Sequence, residues 1–112
     1  DFAPVAYFTL DPLGVIVDVN LEGAVLLGIK GSQKSRHRFA AFVSPEHLKA
    51  FNRFVGDVLN TNQTMACETV LMANSQRPDT AIRIKAVPDE EHRECRMVVM
   101  EISAETPLDN HP

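Results

Sequence analysis

The sequence predicts an α+β domain: a five-stranded antiparallel sheet with helices packed on one face. Three observations lead there. Runs rich in β-branched and aromatic residues stand at both ends of the chain, separated by short polar connections. A long central segment repeats apolar residues at helical spacing. The 112 residues, 45% of them apolar and 23% charged, are enough for one core and not comfortably for two.

The elements follow in order. "VAYFTLD" (5–11) reads as a strand, "DPLG" (11–14) as a turn in which Pro12 fixes φ and Gly14 permits a positive one, and "VIVDV" (15–19) as the return strand. Asn20 stands where an N-cap belongs, ahead of "LEGAVLLGIKG", which Gly28 or Gly31 can end. Gly23 weakens this helix, so packing must hold it. Residues 30–38 are polar and loop-like, and "FAAFV" (39–43) has the length of one helical turn. The clearest local signal comes next. Ser44 caps, Pro45 takes the first helical position and Glu46 favours the positive end of the helix dipole. Leu48, Phe51, Val55, Val58 and Leu59 then recur on one side, with Lys49, Arg53, Asp57 and Asn60 on the other. "TMACETVLMA" (64–73), "TAIRIKAVP" (80–88) and "CRMVVMEIS" (95–103) read as three strands, joined by hairpin-length polar segments. Residues 1–103 form the domain, and 104–112 read as an exit linker.

Composition excludes several classes. A net charge of −4 lacks the basic footprint of a nucleic-acid binder. The densest basic stretch, "KGSQKSRHR" (30–38), reads as an anion-attracting loop or, more simply, a solvated one. No apolar run has the length of a membrane span, and no signal peptide opens the chain. It begins at Asp1 without Met, as a segment of a longer protein would. Cys67 and Cys95 lie in apolar strand-like runs, the pattern of buried free thiols in a reducing, cytoplasmic compartment, with a Cys67–Cys95 disulfide as the alternative.

This order of elements resembles the PAS domain over roughly residues 3–103. "LDPLGVIVDVN" is similar to that family's first two strands, with the Asp, the turn Gly and the capping Asn in place. "AVLLGI" resembles the end of its first helix and "FVSPEHLKAF" the start of its longer one. Glu68 in "ACETVLM" falls where the third strand often carries Glu. "VVMEIS" stands where the family often closes with Asp-Ile-Thr, and Glu101, Ser103 and Gly23 depart from its usual residues. The resemblance implies a five-stranded sheet cradling a small cavity against the helices. It also implies a sensory or dimerising role in a bacterial histidine kinase, cyclic-dinucleotide enzyme or transcription regulator, and no enzymatic activity of the domain itself.

The resemblance also lets cofactors be weighed. The haem-ligating His of oxygen-sensing relatives would fall near Asn52, and His47 stands in the first turn, off the apolar stripe, so haem is argued against. "GSQKSRHRFAAF" lacks the reactive Cys of the light-sensing flavin domains, which argues against covalent flavin. "EEHREC" (90–95) holds metal-type ligands, but consecutive hairpin residues rarely converge on one ion. An acid–base enzyme would need Asp18 or Glu68 in an apolar cavity with a positioned partner, and the sequence offers none. The simpler reading has Asp18 pairing locally and Glu68 facing solvent, Arg83 or Lys85.

Strand alternation assigns the faces. With Glu68 outward, Cys67, Thr69 and Leu71 point toward the helices, as do Ile82, Ile84 and Ala86. Val98, Met100 and Ile102 are expected to do so on the last strand. A ligand pocket is therefore expected from Asn52, Thr69, His37, Phe51, Val55, Ile84 and Met100, unless these residues fill a closed core. The other face, expected to carry Val70, Met72, Val87, Met97 and Val99, is too apolar for free solvation. A second copy, a flanking helix or an effector domain would cover it. The expected function is sensing of a small ligand or partner, relayed through the sheet and the exit segment. The alternative is a PAS fold used only for dimerisation.

Overall fold

The structure, a computed structural model, describes residues 5–30, 36–89, 91 and 93–102. Its strands are β1 (Ala6–Leu10), β2 (Ile16–Val19), β3 (Met65–Leu71), β4 (Thr80–Asp89) and β5 (Glu94–Glu101). They form one antiparallel sheet in the order β2-β1-β5-β4-β3, so the first and last strands meet at its centre. α1 (Leu21–Leu27), a 3-10 helix (Phe39–Phe42) and α2 (Pro45–Thr61) connect β2 to β3.

Local chemistry fixes the first half. The Asp11 carboxylate accepts from the backbone N–H groups of Leu13 at 2.9 Å and Val15 at 3.0 Å. Gly14, at φ +85°, closes that turn. The Asn20 carbonyl oxygen accepts from Gly23 N–H, capping α1, and from Tyr7 N–H, both at 2.9 Å. Its amide donates to the Val5 carbonyl at 2.9 Å. One side chain thus caps the helix and ties it to β1. A Cβ at position 23 would stand 2.7 Å from Val19 Cγ2 and 2.9 Å from Phe8 Cζ, so only Gly lets α1 approach the sheet this closely. α1 ends at Gly28 in the left-handed region, as the sequence suggests. Pro45 opens α2, Ser44 makes no side-chain capping bond, and Asn62 ends the helix at φ 57°.

Three phenylalanines centre the core. Phe8 of β1 meets Phe39 edge-on at 5.0 Å, and Phe39 stacks on Phe51 of α2 at 5.3 Å. Phe54, Val55 and Val58 carry the buried side of α2 over Leu71, Ile82, Ile84, Met97 and Val99. Across the far hairpin, Arg77 donates from Nε to the Leu26 carbonyl at 2.8 Å and from Nη1 to the Met72 carbonyl at 2.9 Å. It thereby joins the end of α1 to the β3–β4 connection.

The expected faces hold on β3 and β4 and reverse on β5. Thr69, Leu71, Ile82, Ile84 and Ala86 are buried, and Val87 is exposed. Ile84 pairs with Val99 and Ala86 with Met97, and directly opposed residues share a face. Met97 and Val99 are therefore core residues, 0% and 2% exposed, and do not belong to the outer face. Val98 and Met100 point outward instead, at 38% and 48% exposure.

The cysteines lie too far apart to join. Cys67 stands opposite Ile84 and Cys95 opposite Pro88, four residues along β4. That offset alone is roughly 13 Å, beyond the Cα separation of a disulfide. Both thiols are free.

Candidate ligand cleft

α2 has a second side. Leu48, Asn52, Gly56 and Leu59 form a stripe at helical spacing, turned toward the β1–β2 turn and the 3-10 helix, with Val55 at its border with the core. Between them lies a cleft of about 440 Å³. Ala40 and Ala41 form part of the facing wall, and their short side chains leave the space. Pro12, Leu13 and Gly14 close one side, and Phe51 borders the cleft where the stripe meets the core. A Cβ built at Gly56 would meet nothing within 4 Å.

Backbone pairing sets the position of Arg38 on this wall. Ile16 N–H donates to the His37 carbonyl at 2.9 Å, and Phe39 N–H donates to the Gly14 carbonyl at 3.2 Å. Arg38 itself bridges to Val15. The stretch before the 3-10 helix is thus stitched to the first hairpin. Among the described residues of the lining, Arg38 is the one charged residue and Asn52 the one polar uncharged side chain. Among the described residues, neither side chain has a hydrogen-bond or ion-pair partner.

Of the seven expected pocket residues, Asn52, Phe51 and Val55 line this cleft. Ile84 is fully buried in the core. Thr69 is buried on the inner face of β3, and its hydroxyl has no hydrogen-bond partner among the described residues. His37 is half-buried, with its ring tilted against Phe42 at 5.6 Å, and is not part of the cleft lining. Met100 is on the outer face and borders a separate concavity of about 380 Å³ with Val5, Glu22 and Leu26. Its placement corrects the expectation for the same reason as Val98: the register of β5 against β4 sets its side. Arg38, Leu13 and Gly56 are cleft residues that sequence reasoning missed. The basic stretch 30–38 was the available signal for Arg38.

The remaining chemistry is muted. Glu68 faces outward opposite Arg83, whose Nη2 lies 2.7 Å from Glu68 Oε2. Asp18 is exposed beside Thr9. Burial pushes the Cys95 thiol up to about 11 and the Cys67 thiol to about 11, the latter with help from the neighbouring Glu68 charge. Neither is an activated nucleophile. Among the described residues no three metal-ligating side chains converge, and Glu90 and His92 of the 90–95 stretch lie outside them. No helix among them is long and apolar enough to cross a membrane.

The outer sheet face carries its own feature. Val98 lies between Tyr7 of β1 and Lys85 of β4, and Met100 lies beside Arg83. With Val5 and Val87 they make an exposed apolar strip across β1, β5 and β4. Met72, just past β3, is also exposed, and Val70 is half-buried.

No family model and no curated protein matches the sequence. Solved structures do match. The PAS domain of the Cronobacter turicensis RpfR quorum-sensing receptor, in complex with C12:0, superposes with a TM-score of 0.78 at 16% identity, covering 92% of this chain and 98% of that one. The same domain in complex with BDSF gives 0.77 at 15% identity, with the same coverage. A PAS domain from Colwellia psychrerythraea gives 0.73 at 17%, covering 88% and 86%. The N-terminal domain of a diguanylate cyclase with PAS/PAC sensor from Marinobacter aquaeolei gives 0.70 at 14%, covering 96% and 100%. The chain has the PAS fold.

Proposed function

We propose that this PAS-fold domain is a sensory module of a larger bacterial signalling protein and works in the cytoplasm without catalysing a reaction. It takes a small ligand in the cleft along α2 and relays occupancy through the sheet and the exit segment 104–112, which lies outside the described residues. The observation that carries this reading is the cleft: among the described residues, an apolar wall with two polar heads that no protein group engages, the usual composition of a small-molecule site. Two of the similar structures hold small ligands in the same fold, and others come from a sensor histidine kinase and a diguanylate cyclase, which supports it. Free thiols support a reducing compartment. A ligand shifts such a module only by binding one of its two states more tightly.

One observation favours a second reading, a domain used for dimerisation or for docking a flanking helix or effector. The exposed strip of Val5, Val87, Val98 and Met100 is more apolar than a solvated sheet face needs. Native mass spectrometry of the purified protein separates the two. A bound small-molecule mass supports the sensor. A ligand-free dimer that Val98→Glu converts to monomer supports dimerisation alone.

A further inference from the structure

We infer that the ligand of the α2 cleft is a single-chain organic anion, a medium-chain carboxylate whose head is held by Arg38 and Asn52 and whose tail lies along α2; this rests on the sensory reading above. Among the described residues, the cleft lining has one charged group, a guanidinium, and no carboxylate to neutralise it. Among the described residues nothing pairs with that guanidinium, although the outward Arg83 and Arg96 have both found acidic partners. Asn52 adds an amide donor with no protein acceptor among the described residues. A planar, forked guanidinium and a free amide lining one cleft match the two oxygens of a carboxylate.

The rest of the lining is hydrocarbon. Leu48, Leu59 and Leu13 wall a trough, and Gly56 leaves its floor without a side chain. From Asn52, which holds the head, to Leu59 the helix advances roughly 10 Å. An extended chain gains about 1.2 Å per bond, so this stretch suits a tail of about nine carbons. A dianion such as a phosphate monoester would leave charge unmatched by one Arg. A neutral apolar ligand would leave both polar heads unused.

The test is calorimetric titration with decanoate and with 1-decanol, which share a chain and differ in the head. Decanoate is expected to bind at least about tenfold more tightly, the scale of a charge-assisted hydrogen bond. Arg38→Gln should abolish that preference while leaving decanol affinity unchanged. Gly56→Leu, which fills the trough, should weaken both ligands. If that variant does not fold, Arg38→Gln decides alone. Equal affinity for the two ligands, or a preference that survives Arg38→Gln, overturns the anionic ligand while leaving an apolar sensor standing. Binding of neither ligand overturns both.

Discussion

The two sides of α2 teach different things. Toward the sheet, Phe51, Phe54, Val55 and Val58 are buried, and the Phe8–Phe39–Phe51 stack fills the space beneath them. Toward the β1–β2 turn, the same helix shows Gly56, Asn52 and the half-buried Leu48 and Leu59, facing two alanines across an open cleft. One side uses aromatics and leaves no room. The other uses small side chains and leaves about 440 Å³. A close-packed face fixes where the helix lies, so that anything entering the open side meets a wall already in place. Binding energy there need not be spent on ordering the helix.

The contrast breaks most visibly at Phe39. Phe39→Ala removes the central ring of the stack and should cost about 3–5 kcal/mol in urea denaturation. A cost below about 1 kcal/mol would mean that the closed side is not the anchor. Thr69→Val probes the same side with the opposite sign. The Thr69 hydroxyl is buried without a partner among the described residues, and an isosteric methyl removes an unmet desolvation cost. Stability should rise by about 1 kcal/mol. A fall of that size would reveal a partner for the hydroxyl and place a polar site inside the closed half. On the open side, Gly56→Ala adds a methyl where nothing lies within 4 Å. It should stabilise by up to about 1 kcal/mol through helix propensity alone, read as a higher thermal midpoint. Destabilisation would mean that the cleft closes over Gly56 in solution.

Legibility followed the same division. The closed side was readable because burial imposes a pattern: α2 shows its apolar stripe, β4 alternates in "AIRIKAV", and strand parity puts Glu68 on the outer face with Arg83 and Lys85, leaving the register to choose between them. β5 was misread because "MVVM" places four apolar residues in a row, a run that carries no parity. Arg96 before it is outward, and it sets Val98 and Met100 outward too; an Arg at a candidate core position was the discriminating signal. The order of elements identified the fold. The cleft was only partly readable. Asn52, Phe51 and Val55 lie on the helix whose period was evident. Leu13 and Arg38 come from a turn and a loop brought in by backbone bonds between Gly14, Ile16, His37 and Phe39. A space is also made by what is small, and Ala40, Ala41 and Gly56 carry no positive signal in a sequence. Gly23 shows the converse: it looked like a helix weakness and is the contact that lets α1 pack on Phe8.

The smallest expected effect sharpens the comparison furthest. Asn52 sits on α2 between Leu48 and Gly56, exposed and without a side-chain partner among the described residues. Asn52→Ala loses no protein hydrogen bond among them and replaces a poor helix former by the best one. The stability of the ligand-free domain should therefore change by no more than about 0.5 kcal/mol, as for a surface substitution away from any special feature. A loss above about 1 kcal/mol would mean that Asn52 supports the fold, and the open side of α2 would then be a second structural face. If stability is unchanged and decanoate affinity falls, the residue serves the cleft and not the core. A helix can carry both duties only when its two stripes are separable, and this substitution asks whether they are.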